Sequence, residues 1–268
     1  YDFFKMRKDI EDYATTAGLT AIETSKKTGK LNTVSSKAAA SVNAFTFDIY
    51  RTAGKSGGNI FMSPYSISSA LAMTYAGARG ATEKEMEKVL RIDMSLHKSM
   101  AALISELGSV PAATAKVSTA NAIWPAKQEK LLAEYVQTVR ENYKAALTPL
   151  NYAANPAKAA KTINTWVEKN TNGKIKDIIS EGLLRKDTPM VLTNAVYFKS
   201  EWLSKFEPSN TLTHPFWTTQ QNSVSAVMMN KTDDDIPYLK TDELEAVEIP
   251  YKDNRFSMLV LLPQKGTD

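Results

Sequence analysis

Histidine is the side chain most able to move a proton near neutral pH, and this 268-residue chain has two, His97 and His214. Neither sits in a pattern that would make it a base. There is no Gly-x-Ser-x-Gly elbow, and the chain has no cysteine to act as nucleophile. Zinc spacing of the His-Glu-x-x-His type is missing, as are P-loop and dinucleotide fingerprints. Asp233-Asp234-Asp235 offers oxygen ligands to a hard cation but lacks the spacing and end ligand of an EF-hand. It reads as a solvated turn, and both histidines read as structural or surface residues. No catalytic residue, metal site or cofactor is expected, so the chain is not read as an enzyme. The aromatics fall at core spacing rather than as a stacking platform, which argues against nucleic acid.

The bulk properties fit a folded protein. Hydrophobic residues make up 43% and charged residues 23%, and the net charge is +4. This length can bury a sizeable core. No apolar run is long enough to span a bilayer. The absence of cysteine excludes disulfides and suits either redox compartment. The first residues lack the apolar segment of a signal peptide and do not start with Met.

One stretch organises the rest. Residues 59–90 read as a short strand at Ile60–Met62, entered through Gly57-Gly58, then a helix, a tight turn and a second helix. Ser63 is a natural N-cap and Pro64 suits the first helical position. Residues 67–78 are apolar or small on every face, which predicts an enclosed helix. Thr82 and Glu85 have capping-box spacing for the next helix. Upstream, Val42, Phe45, Ile49 and Tyr50 form one helical face over 38–53. Downstream, the periodicity predicts helices at Ser99–Gly108 and Leu131–Tyr143, the latter with Leu132, Tyr135, Val136, Val139 and Tyr143 inward. A third helix starts at Pro156 and is ended by Gly173. Strands are expected at Lys116–Trp124, Ala145–Leu150, Pro189–Phe198, Val224–Met229, Ile236–Leu239, Glu245–Tyr251 and Phe256–Leu262. The last is apolar on both faces and needs cover on both. Residues 1–37 read as a partly flexible extension with a short helix near 3–14.

Several of these words resemble the serpin family. Asn59-Ile-Phe-Met-Ser-Pro-x-Ser-Ile-x-x-Ala-Leu followed by Gly77-Ala-Arg-Gly-x-Thr is similar to strand 6B, helix B and the start of helix C. Asn43-x-Phe45-x-Phe47-Asp-Ile-Tyr50-Arg resembles helix A. Ile163-Asn164-x-Trp166-Val167 with Thr171-Asn172-Gly173-Lys174-Ile175 resembles helix F and its exit. Leu192-x-Asn194-Ala195-x-Tyr197-Phe198-Lys199-x-x-Trp202 resembles strand 3A, with Ser200 where the family usually has Gly. The resemblance covers residues 38–268 in order.

The family implies an α+β serpin fold: a large, mostly antiparallel sheet A, smaller sheets B and C, and about six helices in this portion. Residues 38–268 would run from helix A through strand 3B, an incomplete domain whose reactive-centre loop and reactive bond lie outside the chain. The resemblance places Ser63, Ser66 and Asn194 in the shutter beneath sheet A, with Trp202 at the breach. The implied function is suicide-substrate inhibition: a serine protease, or a cysteine protease, cleaves the loop, which then inserts into sheet A and traps the enzyme covalently. A non-inhibitory carrier is the alternative. The whole protein is expected to be a monomer at an extracellular, periplasmic or cell-surface location, with intracellular members as the exception. Residues 98–108 sit where heparin-activated members carry a basic helix D. With Lys98 and Glu106 as the only charges there, no heparin-type site is expected.

Overall fold

The computed structural model describes residues 33–264, apart from Ser56, Glu181, Gln220, Asp233–Asp235 and Asp253. The expected helix near 3–14 and the Asp233–Asp235 turn lie outside the described residues. The chain divides into two compact units. The described part of one comprises 33–111 and 116–198, and that of the other 112–115 and 199–264.

In the larger unit, Ser63 begins the central helix α2 (Pro64–Tyr75), and its hydroxyl accepts from the Ser66 amide at 3.2 Å. Around it stand α1 (Thr33–Gly54), α3 (Ala81–Leu90), α4 (Leu96–Gly108) and α5 (Ala133–Tyr143). Helix α6 (Pro156–Asn170) starts at the Asn155 cap, whose side chain accepts from the Lys158 amide at 2.8 Å. Three strands form a sheet in the order β2 (Ala146–Leu147), β1 (Ala115–Pro125), β3 (Met190–Ser200). β1 and β2 run parallel, with Ala122 opposite Ala146.

The two-residue period of a strand sends alternate side chains to opposite faces. Ala120, Ala122 and Trp124 of β1 pack with Ala195 of β3 against Ala159, Ala160, Ile163 and Val167 of α6. Trp124 meets Trp166 edge to face at 5.5 Å and donates to the Thr193 hydroxyl at 3.0 Å. Ile123 of β1 and Leu192 of β3 turn the other way, into a second cluster with α1, α2, α4 and α5. The sheet is therefore covered on one face by α6 and on the other by the helices around α2.

The smaller unit holds a hairpin, β4 (Leu212–Trp217) with β5 (Ser223–Met228), after a 3-10 turn at Pro208–Asn210. It also holds a sheet ordered β6 (Tyr238–Lys240), β7 (Leu244–Pro250), β8 (Ser257–Pro263), antiparallel throughout.

The structure corrects several local expectations. Ile60–Met62 forms no strand: among the described residues nothing pairs with it, and Phe61 is fully exposed. Helix α2 is enclosed only in part. Ala72 and Met73 are buried, whereas Ile67 and Leu71 line an open groove of about 770 Å³ with Phe45, Ile49 and Val89. The Thr82–Glu85 capping box does not form. Gly80, at φ +65°, starts α3 without a side-chain cap, which puts Thr82 inside the first turn. Tyr50 and Leu132 are exposed, because neighbours cover only the Val42–Phe45 and Tyr135–Val139–Tyr143 stripes of their helices.

These burials set unequal costs for truncation. Ile163→Ala should lower the unfolding free energy by roughly 2–5 kcal/mol, since α6 cannot collapse into the space lost. Leu132→Ala should cost less than about 0.5 kcal/mol. Urea titration followed by tryptophan fluorescence checks both; equal costs would contradict the burial pattern.

Candidate functional site

Ser66, Asn194 and Asn121 meet because three periodicities coincide. Ser66 lies in the first turn of α2, where its side chain faces the sheet. Asn194 is the β3 residue between Thr193 and Ala195, so it points away from α6 and toward α2. On β1, Asn121 lies between Ala120 and Ala122 and turns to the same face. The Ser66 hydroxyl donates to Asn194 Oδ1, and Asn194 Nδ2 donates to Asn121 Oδ1 at 2.5 Å. Asn121 Nδ2 then donates to the main-chain carbonyl of Tyr143 at 2.8 Å. Ser63 joins at the other end by capping the Ser66 amide. Tyr65, next to Ser66, lies 3.4 Å from the Thr119 hydroxyl, and burial pushes its own hydroxyl pKa up.

The relay is polar throughout and carries no formal charge. Asn121 is 3% exposed, so its amide cannot turn to water instead. Each amide uses its oxygen toward Ser66 and its nitrogen toward Tyr143, which fixes its orientation. The final acceptor is available because Tyr143 is the last residue of α5, and last-turn carbonyls have no helical partner. Lys144, at φ +52°, turns the chain out of the helix there.

Trp202 belongs to the smaller unit and has its own partners. Its ring stacks on Tyr251 at 4.6 Å and 8°, and Phe206 meets it edge-on at 5.8 Å. Its backbone forms an isolated antiparallel bridge with Tyr251. His214 is exposed on β4. His97 is buried in α4, with Nδ1 2.7 Å from the Tyr143 hydroxyl. Burial holds its pKa below the usual histidine value. Among the described residues no group of three or more His, Cys, Asp or Glu could hold a metal ion, and no helix is long and apolar enough to cross a membrane.

Residues 40–268 match the family model described as "Serpin (serine protease inhibitor)". The chain belongs to the serpin family. An uncharacterized serpin-like protein of Thermococcus kodakarensis is 40% identical over 228 residues, 84% of this chain and 53% of that one. The leukocyte elastase inhibitor of Xenopus tropicalis is 33% identical over 230 residues, 84% of this chain and 61% of that one. Emu ovalbumin superposes with a TM-score of 0.79 at 30% identity, covering 85% of this chain and 64% of that one. Lamprey angiotensinogen with its reaction loop cleaved gives 0.80 at 29%, covering 87% and 69%. The fold is the α+β serpin fold. The chain spans about half to three-fifths of the length of the curated relatives it matches.

The family words pointed to Ser63, Ser66 and Asn194. They did not point to Asn121 or Tyr143, which complete the relay. The available signal was an asparagine at a buried-face position of a strand, a polar group that must find a partner.

Removing one member strands the others. Asn194→Ala leaves the Ser66 hydroxyl and the Asn121 carbonyl oxygen without partners and should cost about 1–3 kcal/mol of stability. Ser66→Ala and Asn194→Ala together should cost less than their sum, because they break a shared bond. A double-mutant cycle by chemical denaturation tests this, and strict additivity would deny the coupling.

Proposed function

We propose that this chain belongs to a serpin that inhibits a serine protease by the suicide-substrate route, with a cysteine protease as the other target class. The observation that carries the reading is the neutral relay from Ser66 through Asn194 to Asn121, lying where a helix supports two neighbouring strands. By the resemblance the strands that must part are 3A, here β3, and 5A; a polar joint on β3 can exchange its hydrogen bonds without opening a cavity, which an apolar contact would not. In this reading Ser63, Ser66 and Asn194 act as the shutter, and Trp202 marks the breach where strand entry begins.

In the whole protein, the protease serine attacks a loop peptide bond. The bond breaks, the new amine leaves, and the loop carbonyl becomes an ester on the protease. The freed loop then enters the sheet as an added strand, before water can hydrolyse the ester. The covalent chemistry is the protease's; the serpin contributes bait and spring, and so is not an enzyme. Relatives named as inhibitors support this, among them the Xenopus tropicalis protein and the leukocyte elastase inhibitor of Bos taurus at 35% identity. In α4, Lys98 and Glu106 give no basic stripe, which supports inhibition without heparin-type activation. The resemblance favours a monomer acting at an extracellular, periplasmic or cell-surface location, with intracellular action as the exception.

A carrier role is the second reading. It is favoured by structural neighbours whose names are not those of inhibitors, ovalbumin and angiotensinogen. The whole protein, incubated with trypsin-, elastase- and subtilisin-like proteases, should give a protease–serpin band that survives boiling in detergent. Cleavage without such a band across the panel would sink the inhibitory reading. Loop cleavage should also raise the melting temperature sharply; an unchanged value favours the carrier.

A further inference from the structure

His97 is buried in a way the shutter does not require. The imidazole lies at the start of α4, 7% exposed, stacked on Tyr75 of α2 at 5.5 Å and edge-on to Tyr143 of α5 at 5.8 Å. Nδ1 has one partner, the Tyr143 hydroxyl, while Nε2 is buried without any. Tyr143 therefore has two attachments. Its hydroxyl holds the imidazole, and its carbonyl holds the Asn121 amide at the end of the relay.

From this juxtaposition we infer that His97 is a proton-sensitive release for the relay, with Tyr143 as the connecting piece. A neutral imidazole fits the site as the Nδ1–H tautomer, which meets the Tyr143 oxygen and leaves Nε2 without a proton to place. A protonated imidazole is a donor at both nitrogens. Nε2–H then has no acceptor, and a positive charge lies among aromatic rings and aliphatic side chains. The ring must swing toward water or α4 must shift. Both withdraw the group that seats the Tyr143 hydroxyl, at the last residue of α5. The carbonyl that anchors Asn121 belongs to that same residue.

No group accepts from Nε2 where it stands. From α2 the facing titratable group is Tyr75, and from α5 it is Tyr143; both hydroxyls have pKa values raised, mainly by burial. Glu87 of α3 accepts from the Tyr75 hydroxyl at 2.7 Å and so stands one ring removed from the imidazole. Glu83 and Asp93 add negative charge around Tyr75. Asp93 is itself engaged by Lys37 of α1 and by Ser95. Burial depresses the folded-state pKa of His97. The stability it permits is fully present above the unfolded value near 6.5 and is lost as pH falls toward the folded value.

The functional meaning, easier parting of the strands in acid, rests on the shutter reading; the local loosening does not, and it is measured without a protease. Hydrogen exchange followed by mass spectrometry on the full chain reads the amides of residues 116–125 and 190–198, corrected for the intrinsic pH dependence. Between about pH 7.5 and about pH 5, protection of these segments should fall roughly tenfold. In His97→Asn, a neutral side chain that still reaches Tyr143, protection should stay flat; His97→Phe is the second non-titrating variant. Flat protection in the wild type, or the same fall in a folded variant, overturns the inference. Should neither variant fold, the NMR titration midpoint of the His97 ring must coincide with the midpoint of the protection loss, and separate midpoints overturn it equally.

Discussion

The Asn121–Asn194 amide pair is the constraint on which the larger unit depends. It sits on the face of the β1–β3 sheet that otherwise meets α2, α4 and α5 through Ile123, Leu192 and their neighbours. An amide on such a face is tolerated only if both its ends are satisfied. That requirement fixes the register of Ser66 against β3 and the position of the α5 terminus against β1. It also explains a division of labour between the two faces. The α6 face is nearly all apolar, closed by Trp124, Ile163 and Val167, with Trp124 and Thr193 supplying one hydrogen bond between the strands. One face is closed by apolar packing, and the other carries a chain of side-chain hydrogen bonds.

Much of this architecture was legible in the sequence because it follows from local rules. The Ser63-Pro64 start and the Pro156 start state their elements directly. What was not legible depends on which neighbour arrives. Leu132 and Tyr50 fit the apolar side of their helices by spacing, yet no element covers them. Gly80 displaced Thr82 as a helix start because its positive φ suited the turn better than a side-chain cap. Asn121 and Tyr143 were invisible as site residues for a related reason. Asn121 needs the α5 terminus, and Tyr143 contributes a main-chain carbonyl, a group every residue owns.

The apolar strand β8 shows the same limit from the other side. Its sequence demands cover on both faces, yet Met258 through Leu262 are 37–63% exposed, and among the described residues β7 is the strand's one neighbour. Phe61 is likewise open. Composition can state that a surface must be buried; it cannot name the surface that buries it. Left uncovered, such an edge invites pairing with another chain, which makes β8 and the Phe61 segment the aggregation-prone parts of the described structure.

Magnitudes explain why a latch of this kind suits the proposed mechanism. Three neutral side-chain hydrogen bonds of the relay stabilise the closed arrangement by about 0.5–1.5 kcal/mol each. An added strand would bury apolar side chains at alternate positions, each worth roughly 1.5–3 kcal/mol, besides completing a backbone ladder. The relay is thus large enough to hold two strands in register against thermal opening. It is small beside the gain that follows once a strand begins to enter. A buried ion pair would reverse that balance. Separating it leaves charges stranded at a cost of about 3–5 kcal/mol, so the lock would compete with the spring. Neutral amides and a hydroxyl avoid this, since each group released by one partner can accept another of the same kind.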